Sequence, residues 1–168
     1  MATDLINPTS VNPTSVLTRG TAVATTSGTA FDITGFPAST NLIIIAFNGV
    51  STSGSSIPQI QLGAGSIENT GYTSEACLNS SSNTIGTATA GFILNAVNAA
   101  SYLYKGSVIL CHNGSNVWSI SGVLATNGGQ ISNVGGNKTL SGALGRIRLT
   151  TQNGTDAFDA GAITPLYM

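Results

Sequence analysis

The chain has 168 residues, a formal net charge of −1 and 7% charged residues, against roughly 25% in an ordinary soluble domain. That length predicts one domain with enough chain for a core. An apolar content of 41% with so little net charge excludes the composition of a disordered chain, which combines low hydrophobicity with high net charge. The longest apolar block, "LIIIAF" (Leu42–Phe47), is strand length and far short of the roughly 18 residues of a membrane helix, so no membrane partner is expected. The cations Arg19, Lys105, Lys138, Arg146 and Arg148 are scattered. Non-specific nucleic-acid binding is electrostatic at root, so nucleic acid is not expected as a partner either.

Residues 1–18 read as an extended arm. "INPTSVNPTSV" (Ile6–Val16) holds "NPTSV" twice in tandem, and Pro8 and Pro13 bias the residues before them away from helix. An arm without a core of its own is ordered only against a partner, because fixing each residue costs about 1–2 kcal/mol of backbone entropy. Proline lowers that cost by stiffening the segment. Leu5, Ile6, Pro8, Val11, Pro13, Val16 and Leu17 are the expected docking side chains, and the free backbone groups suit addition to a strand edge. "MATDLINPTSV" lacks both the basic and the apolar regions of a secretory signal, so none is expected.

Residues 19–168 read as a single β domain. Strands are expected near 19–25, 29–34, 41–48, 57–63, 70–78, 87–95, 103–111, 116–126, 139–150 and 160–167, separated by Gly, Asn and Ser turns. "NLIIIAFNGV" is nearly continuous and β-branched, which predicts a central strand. "SYLYKGSVILCHNGSNVWSISGVLA" predicts a hairpin about Asn113-Gly114. "SGALGRIRLTTQNGTDAFDAGAITPLYM" predicts a second one near Asn153-Gly154. "TNGGQISNVGGNKT" (Thr126–Thr139) reads as a glycine-rich loop. The fold class is therefore all-β, an antiparallel sandwich with jelly-roll-like connections, and Trp118 is expected between its sheets. Exposed edges are hazardous with so few charges, so they must be covered by other subunits or very short. Cys77 and Cys111, in apolar alternating contexts, are expected to be buried free thiols.

Residues with catalytic chemistry are sparse. His112 is the only histidine, and neither a Ser-His-Asp spacing nor a G-x-S-x-G turn accompanies it. One His and two distant Cys fall short of a zinc site. Glu68 and Glu75 flank "NTGYTS" and would need to approach each other to act as a glycosidase pair; surface or turn roles fit them better. Asp156 and Asp159 in "NGTDAFDAG" offer oxygen ligands for calcium without the EF-hand order, and turn-capping hydrogen bonds are the simpler expectation. "GGNKT" fails as a phosphate loop, because Asn137 separates Gly136 from Lys138 and a strand follows. No enzymatic activity, metal or cofactor is expected. Tyr72, Tyr102 and Tyr104 could form a sugar-stacking platform, although packing within the core or between subunits fits alternating strands better.

From about Arg19 to the end the chain resembles a β-sandwich domain of tailed bacteriophages and prophages, often found at the C-terminus of tail-fibre or other virion surface proteins. "FNGVST", "LGAGSIE.TGY" and "NGTD.FDAG" carry the likeness, within Phe31–Tyr72 and Lys138–Met168, with "WSISGVLAT" a weaker match. The resemblance implies a virion component, a homotrimer with no enzymatic signature, and it supplies no catalytic or binding residues. Fibre members carry a long attachment region and shaft, whereas only an arm precedes this domain. The expectation is therefore a capsid decoration (cement) protein on the outer surface of the virion, docked on the major capsid protein or another virion protein. The alternative is a tail-fibre or tail-tip adsorption module that binds host surface glycan.

Overall fold

The computed structural model describes residues 16–168. Their strands, in chain order, are β1 (Thr18–Arg19), β2 (Val23–Ala24), β3 (Ala30–Thr34), β4 (Leu42–Thr52), β5 (Pro58–Gly63), β6 (Tyr72–Asn79), β7 (Thr84–Ala88), β8 (Phe92–Ile93), β9 (Tyr104–His112), β10 (Val117–Ala125), β11 (Ile131–Thr139), β12 (Arg146–Thr151) and β13 (Phe158–Tyr167). A 9-stranded sheet runs β1-β13-β4-β9-β10-β11-β6-β7, with β2 also paired to β13, and a 4-stranded sheet runs β3-β12-β5-β8. All pairings are antiparallel. The sheets enclose one core, as expected of a sandwich, with Ile33, Ile60, Leu62 and Ile147 of the small sheet and Ile43, Ile45, Leu110 and Ile120 of the large one. The sheets are unequal, with nine strands in one and four in the other.

β4 is central, flanked by β13 and β9. Ile43, Ile45 and Phe47 are buried, and Leu42, Ile44 and Ala46 are half-buried on the other face. The alternation changes phase at Gly49, where the β4–β9 register shifts. Gly49 and Gly161 face each other at a doubled bulge, both at positive φ (68° and 84°), a conformation that glycine adopts without steric penalty.

The Asn113-Gly114 hairpin forms as expected between β9 and β10. The Asn113 N–H donates to Val117 O and the Val117 N–H to Gly114 O. The second expected hairpin does not form. β12 belongs to the small sheet and β13 to the large one, so the Asn153-Gly154 turn carries the chain across the sandwich. The glycine-rich loop is also corrected, because Ile131–Thr139 is β11, paired on both sides with β10 and β6. Glycine weakens a strand, but here Ser132, Val134 and Lys138 are buried and both ladders are filled. The strand expected at 139–150 starts only at Arg146, and 87–95 divides between β7 and β8.

The edge strands β1, β2, β3, β7 and β8 have 2, 2, 5, 5 and 2 residues. Edge hazard is thus limited by short length. Trp118 is 2% exposed and carries the His112 ring stacked on it at 5.1 Å.

Candidate assembly surface

The outward face of the large sheet follows from register. One row across it reads Leu166, Ile44, Ile109, Ser121, Gly135, Glu75 and Thr87. The next reads Thr164, Ala46, Ser107, Val123, Asn133, Cys77 and Ile85. From β4 to β7, the outward positions carry one cation, Lys105, and one anion, Glu75. Val123, Ile131 and Ile85 stand 53%, 46% and 72% exposed. The open face of an antiparallel sheet is ordinarily polar. This face is polar mainly through hydroxyl and amide groups, and its near absence of charge is the feature that it shares with an interface core.

Cys77 and Cys111 lie on this face and are free and half-buried. They are not the buried thiols expected, because the inward positions beside Cys77 are held by Ala76 and Leu78. The described chain enters the sheet at its opposite edge. Thr18 pairs with Tyr167 and Arg19 with Leu166, and Val16 and Leu17 just before them are exposed. The other expected arm residues, Leu5, Ile6, Pro8, Val11 and Pro13, lie outside the described residues.

The tyrosines do not form a sugar platform. Tyr72 is buried, with its hydroxyl donating to Glu68 O at 2.8 Å and accepting from the Leu62 N–H at 2.6 Å. Burial pushes its hydroxyl up to about 12. Tyr104 is buried and donates to Asn98 Oδ1 at 2.9 Å. Only Tyr102 is half-buried, edge-on to Tyr104. Alternation points Tyr72 and Tyr104 inward, where the core takes their rings.

The carboxylates are held apart. Glu68 pairs with buried Lys138 at 2.7 Å, whereas Glu75 faces outward from β6. Partial burial pushes the Glu68 carboxyl up. The hydrogen bonds from Lys138 and from the Ser141 N–H and hydroxyl, with the Lys138 charge, outweigh it and hold the group at about 2. Asp156 caps its own turn, accepting from Asn153 Nδ2 at 2.7 Å and the Ser56 N–H at 2.8 Å, and Asp159 accepts from the Ser51 hydroxyl. His112 Nδ1 lies 3.1 Å from Asn41 Oδ1. Among the described residues no three His, Cys, Asp or Glu converge on a metal position.

Sequence reading missed one further feature, a polar cleft of about 320 Å³ over the small sheet, lined by Gln59, Gln61, Arg148, Thr150, Gln152 and others. Gln59 is 2% exposed, and among the described residues its Oε1 has no hydrogen-bond partner beneath Gly91. Gln61 Nε2 donates to Ala90 O at 2.9 Å. Arg148 grips Asp32 through two hydrogen bonds of 2.6 and 2.8 Å, with Arg146 at 3.7 Å. The Arg148 hydrogen bond holds the Asp32 carboxyl below its usual range, aided by both guanidinium charges and opposed by partial burial. The alternation of "PQIQL" was the available signal for the outward glutamines.

No family model, curated protein or solved structure matches this chain.

Proposed function

We propose that this chain is a non-enzymatic structural protein of a tailed-phage virion. In this reading it is a self-associating capsid decoration protein on the outer surface of the particle, assembled in the bacterial cytoplasm. It docks on the major capsid protein or another virion protein through residues 1–18. The observation that carries the reading is the almost uncharged outward face of the large sheet, a composition suited to burial in an assembly. The arm sequence, with Pro8 and Pro13, leads to Thr18 and Arg19, which pair with β13, and its prolines favour docking. The test is deletion of residues 1–17, which leaves the Thr18 and Arg19 pairing intact. The truncated protein should fold with little change in melting temperature and fail to join particles. Full occupancy by the truncated protein would overturn arm docking.

The cleft over the small sheet favours a second reading, a tail adsorption module that takes a host surface glycan by hydrogen bonds. Labelling on particles separates the two. Copies spread over the shell mean decoration, and a few copies at the tail mean adsorption.

A further inference from the structure

We infer that the outward face of the large sheet is the surface through which this chain binds a second copy of itself, with Lys105 of one copy set against Glu75 of the other. The inference rests on the self-association of the preceding proposal and fixes its geometry: the same face serves both copies, which makes a two-fold dimer where the resemblance implies three copies.

The area is sufficient. Six strands, β4 to β7 in sheet order, at ~4.8 Å spacing and about eight residues of ~3.4 Å each, span on the order of 800 Å². That is close to what one partner contributes to a standard stable interface. Side-chain chemistry favours burial. Ser, Thr, Asn, Ala and Gly alternate there with Ile109, Val123 and Ile131, and short side chains lose little rotamer entropy on contact.

Charge selects the occupant. Lys105 stands on β9, opposite Ala125 and, through it, Ile131 and Asn79. Glu75 stands on β6, three strands away and two rows along the sheet, a separation of about 20 Å. Val123 and Asn133, paired with each other, occupy the midpoint. The β9 half of the face is therefore cationic and the β6 half anionic, with no net charge between them. A partner carrying one sign of charge would satisfy one half and leave the other unpaired. A second copy satisfies both, because its anionic half meets the cationic half of the first. The exposed Val123 lies where the two faces are closest.

The experiment is light scattering and sedimentation on the full chain at micromolar concentration, with variants at solvent-facing positions. The wild type should be dimeric, and a trimer would overturn the face-to-face pairing. Val123→Glu and Ile109→Glu should be monomeric, with an unchanged circular dichroism spectrum. Lys105→Glu and Glu75→Lys should each weaken association about tenfold by opposing like charges. The Lys105→Glu/Glu75→Lys double variant should return it to near the wild-type value. An oligomer that persists in both Val123→Glu and Ile109→Glu overturns this surface and leaves a homo-oligomer built elsewhere. A double variant as weak as the singles overturns the Lys105–Glu75 pairing. A monomeric wild type overturns this inference and the homo-oligomer together, while arm docking is judged separately by the truncation.

Discussion

The Lys138 ammonium lies 2.7 Å from the Glu68 carboxylate and 5.5 Å above the Tyr72 ring, tying the end of β11 to the loop that follows β5. The Lys138 side chain is 7% exposed, so each member depends on the other. Losing one partner of a buried pair costs about 3–5 kcal/mol, because the other charge stays desolvated. Lys138→Met and Glu68→Gln should each destabilise the domain at neutral pH, read by equilibrium denaturation.

The same pair predicts an acid limit. The folded-state carboxyl of Glu68 sits at about 2, below its ordinary 4.5. Its contribution is fully present above the unfolded value and is lost as pH falls from about 4.5 to about 2, roughly 3 kcal/mol in all. Asp32 and Asp156 are also lowered and act in the same direction. Stability measured down this window should fall in the wild type and fall less steeply in Glu68→Gln. Equal slopes would contradict the assignment.

Trp118 fills the core beneath His112. Trp118→Ala should cost about 3–5 kcal/mol in urea unfolding. A cost below about 1 kcal/mol would place the ring outside the core, in a register shifted by one residue.

Two glycines separate crowding from backbone propensity. A Cβ on inward-facing Gly122 would meet Ser107 O at 2.6 Å and Val108 Cγ1 at 2.7 Å, whereas one on outward-facing Gly135 meets nothing within 4 Å. Gly122→Ala should therefore destabilise by about 1–3 kcal/mol. Gly135→Ala should be neutral or slightly stabilising, since alanine loses less backbone entropy on folding. Thermal melts of the two variants in the monomeric Val123→Glu background, where the outward face is uncovered, decide it.

Cys77 and Cys111 report on the outward face. In monomeric Val123→Glu both half-exposed thiols should react with a maleimide under native conditions. In the wild-type oligomer both should be protected. Equal labelling rates in the two proteins would count against contact through this face.

Local chemistry alone determined much of this protein. Alternation and Gly/Asn punctuation specified an all-β chain, Asn113-Gly114 specified a hairpin, and the period-2 pattern put Trp118 inside. Those signals act over a few residues, and they were sufficient where strands adjacent in sequence also pair in space. Tertiary structure decided what depends on distant partners. Ile131–Thr139 is a strand despite Gly135 and Gly136, because β10 and β6 supply hydrogen bonds on both sides. β12 and β13 separate into different sheets because β12 takes β3 and β5, and β13 takes β4, β1 and β2. A turn signal states that the chain reverses and cannot state which sheet receives it. The neutral outward face, and the placement of Lys105 and Glu75 in its opposite halves, exist only once the register aligns residues from six strands.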